Sequence, residues 1–104
     1  MTRQRLPVRR LAIASEFWHR DQRYRGQIGL FPDGSIAELF LDSARPNSAL
    51  DAFAADAAIL ISLLLQHGAS PVEIGHALRR NPDGTPTSLI GEATDWLQTI
   101  QRQP

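Results

Sequence analysis

Hydrophobic and polar residues alternate along the first part of the chain and recur at helical spacing along the second. The alternation, with its aromatic residues, predicts three β-strands, over 11–18, 23–31 and 35–42. Pro32-Asp33-Gly34 predicts a turn, because proline presets φ and glycine accepts a positive φ. Gly26 and Gly29 interrupt the second strand, which indicates a bulge or a close backbone approach. The pattern favours a three-stranded antiparallel meander.

The segment from Ser48 to Gly68 is the most apolar stretch of the sequence and predicts a long central helix. Asn47 or Ser48 can cap its start, and Gly68 suits its end. A membrane span is the competing interpretation, but the unbroken apolar run is well short of the ~20 residues that a bilayer needs. We therefore expect a core helix that is buried on nearly every side.

Two shorter helices are predicted after the central one. Ser70-Pro71-Val72-Glu73 is a capping-box start, and the helix should end near Arg80, before Asn81-Pro82. From Ser88 a third helix is indicated by apolar residues on one face, namely Leu89, Ile90, Ala93, Trp96, Leu97 and Ile100. The core-facing residues expected in the second helix are Ile74, Ala77 and Leu78. The predicted fold class is α+β, a three-stranded antiparallel meander followed by a long central helix and two shorter helices.

Length and composition indicate one small domain, which we place at residues 11–104. A chain of 104 residues with 42% hydrophobic content can form one core and is too small for separate cofactor and substrate domains. It contains no cysteine, which excludes a disulfide framework, a cysteine-ligated zinc site and thiol chemistry. No apolar run near the N-terminus resembles a secretory signal, so we expect a cytoplasmic protein.

Charge is balanced overall but concentrated locally. The formal net charge is zero, yet seven of the 11 basic residues precede residue 26: Arg3, Arg5, Arg9, Arg10, Arg20, Arg23 and Arg25. The favoured interpretation of residues 1–10 is a basic, solvated and flexible tail. The alternative is a basic arm that binds nucleic acid or an acidic partner.

Catalytic and metal-binding patterns are not found in the sequence. His19, His67 and His76 have no metal-ligand spacing, and the serines lack a nucleophile elbow. Asp51 and Asp56 are five residues apart, so we expect them to mark the exposed edge of the central helix rather than to form a carboxylate pair. We predict no catalytic residue, no cofactor and no metal.

The best site-like feature is the loop before the central helix. Free backbone N–H groups, the helix dipole and Arg45 could together hold an anion such as a phosphate. Asn47 and Ser48 acting as ordinary caps, with an exposed Arg45, explain the same residues.

Three stretches resemble the TSCPD domain, a module found at the C-terminus of vitamin B12-dependent class II ribonucleotide reductases and also as small stand-alone bacterial proteins. They are PDGSIAELFLD, NSALDAFAADAAILISLLLQHGASPVEIGHALRRNPDG and TSLIGEATDWL, and the resemblance covers roughly residues 23–97. Of the motif that gives the family its name, Thr87 and Ser88 are present, while Leu89 stands where the family has cysteine.

The resemblance implies an accessory role, because this chain has neither the thiols nor the length that ribonucleotide reduction requires. The preferred hypothesis is a non-catalytic interaction or regulatory module linked to deoxyribonucleotide synthesis, with a reductase, another protein or a nucleotide as partner. The alternative is a nucleic-acid or phage-related binding protein that uses the arginine-rich N-terminal region; an enzyme ranks last. We also expect a homodimer, since one sheet face and an edge remain to be covered. The candidate anion or partner contacts are Arg23, Arg25, Arg45, Asn47, Ser48, Thr87 and Ser88.

Overall fold

The computed structural model describes residues 12–45 and 48–102 and confirms the α+β prediction. The predicted basic tail, residues 1–10, lies outside the described residues. In chain order the elements are β1 Ala12–His19, β2 Gln22–Leu30, β3 Ile36–Ser43, α1 Ala49–Gln66, α2 Pro71–Ala77 and α3 Leu89–Arg102. A radius of gyration of 13.5 Å is close to the ~13 Å expected of a compact 100-residue domain, which is consistent with a soluble protein.

The sheet has the strand order β1-β2-β3, with both pairs antiparallel. The sequence predicts a bulge or a close backbone approach at Gly26 and Gly29, and the structure has one of each. At Gly29 the register between β2 and β3 shifts, as in a bulge. At Gly26 a Cβ atom would lie 2.7 Å from the Phe17 ring and 2.9 Å from the Trp96 ring, so glycine allows both aromatic rings to pack closely on the sheet.

The core lies between the inner face of the sheet and the helices. Alternate residues of β2 and β3 point inward, because side chains of a strand alternate between its two faces. Leu97 and Ala93 of α3 are completely buried beneath them, as the spacing of apolar residues in this helix predicts. The other inward members of the cluster include Tyr24, Ile28, Leu39, Leu41, Ala54, Ala58, Ile61 and Leu65.

Helix α1 lies along β3 and satisfies backbone groups of that edge strand. The Ser62 hydroxyl accepts from the backbone N–H of Leu39 at 2.8 Å and lies 3.1 Å from the carbonyl oxygen of the same residue. Nε2 of Gln66, a buried side chain, donates to the carbonyl oxygen of Ala37 at 3.1 Å. A sheet edge that would otherwise be free for pairing is thereby covered by helix side chains.

Asp51 belongs to the same polar row, which corrects the prediction that it marks an exposed edge. Its Oδ1 accepts from the backbone N–H of Ser43 at 2.9 Å, and its own backbone N–H donates to the hydroxyl of Ser48, the N-cap. The sequence gives no sign of this contact, because Asp51 also fits an ordinary first-turn helix position.

The prediction that α1 is buried on nearly every side is wrong. Its sheet-facing side is buried through Ala54, Ala58, Ile61 and Leu65. The large apolar residues that it leaves exposed are Leu50 (51%), Phe53 (73%), Ile59 (55%), Leu60 (63%) and Leu64 (48%). The physical reason is position: α1 packs beside an edge strand, and the other described helices do not enclose its outer side.

Helix α2 starts as predicted and ends earlier than expected. Ser70 and Glu73 form both bonds of the capping box. The helix ends at Ala77, which is exposed rather than core-facing, and the backbone is extended at Leu78. The chain turns back so that Arg80 and Pro86 form an antiparallel bridge, which competes with a further helical turn.

The two Pro-Asp-Gly sequences form the same turn in different contexts. Oδ1 of Asp33 accepts from the backbone N–H and the hydroxyl of Ser35, at 2.9 and 2.6 Å. Oδ1 of Asp83 accepts from the same groups of Thr85, at 3.0 and 2.6 Å. In both turns the glycine has a positive φ close to 90°. The geometry therefore comes from local turn chemistry rather than from the surrounding fold.

These bonds predict acidic titrations for both turn aspartates. Each pKa lies below its ordinary value of 3.8, first because the neighbouring hydroxyl donates to the carboxylate and then because the backbone N–H does. Since folding lowers these pKa values, the stabilisation is present above pH ~4 and is lost as the pH falls through the folded-state pKa. Carboxyl-carbon NMR titration should give midpoints below 3.8 for Asp33 and Asp83. Ser35→Ala should raise the midpoint of Asp33 alone, and an equal rise at Asp83 would contradict this assignment.

The β1–β2 hairpin closes through two residues that both have positive φ, Arg20 at 49° and Asp21 at 63°. Residues other than glycine, asparagine and aspartate are disfavoured in this conformation, and glycine is the usual residue at the second position. Replacing the pair with Asn-Gly should stabilise the protein by about 1 kcal/mol and raise Tm by several degrees. Calorimetry of Arg20→Asn/Asp21→Gly tests this, with Asp33→Asn/Gly34→Ala as a control that is expected to lower Tm because Gly34 needs its positive φ.

Candidate interaction surfaces

The outer face of the sheet carries exposed aromatic and arginine side chains. Trp18 on β1 is 67% exposed and lies directly opposite Arg23 of β2 in the register. Phe40 on β3 is 47% exposed on the same face, opposite Gln27. Large aromatic rings are normally turned inward, so Trp18 is the feature of this face that the fold itself does not explain.

A shallow groove of about 220 Å³ lies where β2 begins and β3 ends, and it is lined by Arg23, the residue opposite Trp18, but not by Trp18 itself. Its charged lining consists of Arg23 and Arg25 with Glu16 and Asp42. Glu16, Arg25 and Asp42 lie in one row across the three strands, and Nη2 of Arg25 is 3.4 Å from Oδ2 of Asp42. Because two carboxylates accompany the two guanidinium groups, the groove does not concentrate the positive charge that a free phosphate or nucleic-acid backbone needs.

The loop before α1 is built mainly as a cap. The Ser48 hydroxyl accepts from the Asp51 N–H and donates to the carbonyl oxygen of Arg45, so its bonding capacity serves the helix start. Arg45 itself is exposed, close in sequence to Ser43 and Ala44, which also line the outer groove. Asn47 lies outside the described residues, and the predicted anion contact there stays a prediction.

Thr87 and Ser88 lie in a second groove and are not brought together with the arginine pair of the outer face. This apolar groove of about 390 Å³ lies between the β1–β2 turn, the first half of α1 and the start of α3. Leu50 and Phe53 form its α1 side. Its full lining is His19, Arg20, Gln22, Tyr24, Leu50, Phe53, Ala54, Thr87, Ser88, Leu89 and Ile90.

His19 and Glu92 form a pair beside this groove that sequence reasoning missed. Nδ1 of His19 is 2.8 Å from Oε1 of Glu92, although the residues are 73 positions apart and share no motif. Such a pair resembles the base and orienting carboxylate of a triad, but the nearby Ser88 hydroxyl accepts from the Gly91 N–H at the start of α3. The pair therefore joins the hairpin turn to α3, and it gives no evidence of an activated nucleophile.

Within residues 12–45 and 48–102, no group of three or more His, Asp or Glu side chains is placed to hold a metal ion. Helix α1, with 18 residues and a mean hydropathy of 1.7, is long and apolar enough by composition to cross a membrane, a test that core helices of soluble proteins also pass.

Along its outer side α1 presents what we call the α1 stripe, formed by Leu50, Phe53, Ala57, Leu60 and Leu64. These residues are spaced three or four apart and therefore lie on one face of the helix. The stripe begins at the apolar groove and continues to a shallow surface formed by Leu60, Leu63, Leu64 and His67. Its exposure contradicts the prediction that α1 is buried on nearly every side.

Comparisons of the chain with family models, curated proteins and solved structures found no match. The resemblance to the TSCPD domain therefore stays a prediction.

Proposed function

We propose that this protein is a non-catalytic accessory module of the cytoplasm that binds a partner protein through the outer face of its sheet. The observation that carries the proposal is Trp18, a 67% exposed indole on a regular strand with an arginine directly opposite. Tryptophan and arginine are the residue types most enriched among the side chains that dominate protein–protein binding energies.

The charged residues near Trp18 and the resemblance of the sequence to a known domain also support a protein partner. Arg23, Arg25, Glu16 and Asp42 place charges of both signs on the same face as Trp18 and to one side of it, and charged side chains commonly border the apolar centre of a protein interface. The resemblance of the sequence to the TSCPD domain makes a ribonucleotide reductase the first partner to test, with a role in deoxyribonucleotide synthesis.

The alternative is nucleic-acid binding through the arginine-rich N-terminal region. Arg3, Arg5, Arg9 and Arg10 lie outside the described residues. On the described sheet face the arginines are balanced by carboxylates, and the two exposed rings lie two strands apart. Single-stranded nucleic acids are bound by closely spaced aromatic rings in a positively charged groove. This comparison favours the protein partner.

A paired affinity capture from the native host tests the proposal. Tagged full-length protein and its Trp18→Ala variant are used as baits, with washes at moderate and then high salt, and both proteins and nucleic acids are identified. We expect the wild type to retain a defined protein at high salt. Trp18→Ala should lose it, because truncating a central tryptophan weakens binding by about 30-fold or more.

Ile59→Ala is the matched control, since Ile59 is also an exposed large side chain (55%) but lies on α1, away from the sheet face. It should retain the same protein as the wild type. Equal retention by Trp18→Ala would contradict the proposed surface. Recovery of nucleic acid alone, lost at high salt, would instead support the basic-arm alternative.

A further inference from the structure

We propose that the α1 stripe binds a second copy of this chain, with the two α1 helices packed antiparallel about a two-fold axis. This surface is separate from the sheet face assigned to the partner protein, and the inference does not depend on that assignment. Each subunit would contribute the same residues, as a two-fold interface requires.

The exposed area of the stripe fits one side of a dimer contact. Leu50, Phe53, Leu60 and Leu64 are between 48% and 73% exposed, on one helix face. Together they leave on the order of 400 Å² of apolar surface open, about half of the ~800 Å² that each partner contributes to a standard interface. The polar rim of the contact would come from Asp56 and His67, which are exposed on the side of α1 next to the stripe, and from the mouth of the apolar groove beyond Leu50 and Phe53.

The two ends of the stripe differ in their surroundings. Its N-terminal end, at Leu50 and Phe53, opens into the groove of about 390 Å³. Its C-terminal end carries the exposed side chains of Leu60 and Leu64. Only an antiparallel pairing places the leucines of each subunit over the groove of the other, and a two-fold axis repeats the contact. Ala57, near the middle, has the small side chain that permits close helix approach.

A lipid surface fits this helix less well than a second copy does. Helices that lie on membranes combine an apolar face with lysine or arginine on the polar face. Helix α1 contains two charged residues, Asp51 and Asp56, and both are acidic. The groove at the end of the stripe is rimmed by His19 and Arg20, which would have to enter the apolar layer. The chemistry therefore favours burial against protein.

The molar mass of the full chain, measured by light scattering across the micromolar range, tests the proposal. The expected mass is twice the 11.5 kDa of one chain. Leu60→Glu should be monomeric, with dimer affinity reduced at least about 100-fold, because each subunit would bury a carboxylate near the two-fold axis. Circular dichroism should show an unchanged fold, since residue 60 is exposed in the single chain.

Ile59→Glu is the matched control. Ile59 is 55% exposed and adjacent to Leu60 in sequence, but it points about 100° away around the helix and off the stripe. This variant should remain dimeric. A monomeric wild type, loss of the dimer in both variants, or loss in neither would overturn the proposal. The proposal would also be overturned if the wild type were a monomer that binds vesicles of anionic and zwitterionic phospholipid and the Leu60→Glu variant did not bind them.

Cross-linking tests the antiparallel orientation separately. The chain has no cysteine, so an introduced cysteine is the only thiol in each subunit. When Leu64 faces Phe53 of the partner subunit, the two copies of residue 57 lie within about 5 Å along the helix axes, whereas those of residue 64 lie about 16 Å apart. A short bifunctional thiol reagent should therefore couple Ala57→Cys and leave Leu64→Cys uncoupled. Equal coupling of both variants would contradict the antiparallel pairing.

Discussion

Gly26→Val should destabilise the protein by about 3 kcal/mol, because the close packing of two aromatic rings on β2 leaves no room for a side chain. The Phe17 and Trp96 rings meet edge to face, with centroids 5.1 Å apart. A Cβ atom at residue 26 would lie 2.7 Å from the first ring and 2.9 Å from the second, so both would have to move. Chemical denaturation followed by circular dichroism measures the loss.

Gln27→Val is the control for this substitution, because residue 27 is on the same strand but on the exposed outer face. Its effect should remain within about 0.5 kcal/mol. Adding Phe17→Leu to Gly26→Val should recover part of the loss, since a smaller side chain frees space beside residue 26. A Gly26→Val variant as stable as the wild type would contradict the close packing of the Phe17 and Trp96 rings against this glycine.

Removing the polar row that α1 presents to β3 should also cost about 3 kcal/mol of stability. The double variant Ser62→Ala/Gln66→Met keeps the size of both side chains similar while leaving the Leu39 N–H and the Ala37 carbonyl without the bonds that these side chains make. Each buried backbone group that loses its partner costs about 1–3 kcal/mol, and alanine returns only a few tenths through helix propensity.

A double variant that makes the same two chemical changes in β1 and β2, away from α1, is the control for this prediction. Ser15→Ala/Gln27→Met removes one hydroxyl and one amide from strand positions, where Ser15 makes only a 3.5 Å contact with the neighbouring carbonyl. We expect a loss within about 1 kcal/mol. Equal losses in the two double variants would show that the bonds to β3 contribute nothing particular to stability.

Elements set by local chemistry could be predicted from the sequence. The capping box at Ser70 and the N-cap at Ser48 depend on residues three positions apart, and the Pro-Asp-Gly turns depend on three consecutive residues. The single apolar face of α3 follows from a spacing visible in the chain. These signals are complete within a short window, so no tertiary information is needed to interpret them.

The environment of α1 could not be predicted in the same way. An apolar helix has the same sequence whether its second side meets the core or another molecule, so the exposure of Phe53 and Leu60 has no local signal. The contacts of Asp51 and Gln66 with β3 depend on the helix lying beside an edge strand, which only the packed fold determines.

The candidate contact residues stay predictions, but the fold shows which of them lie together. Arg23 and Arg25 do line one groove, but the carboxylates of Glu16 and Asp42 that balance them become neighbours only through strand register. The alternation predicts a strand that contains Trp18, but alternation alone does not show which face of the sheet is covered. Thr87 and Ser88 directly precede α3, and the fold places the start of this helix at the apolar groove, away from Arg23 and Arg25.

The most direct measurement of the proposed function is the affinity of the purified full-length protein for the class II ribonucleotide reductase of the same host, determined by calorimetry. We expect saturable binding to the wild type, little change at high salt, and an affinity about 30-fold lower or weaker still for Trp18→Ala. Absence of binding, or equal affinities of the wild type and Trp18→Ala, would contradict the account.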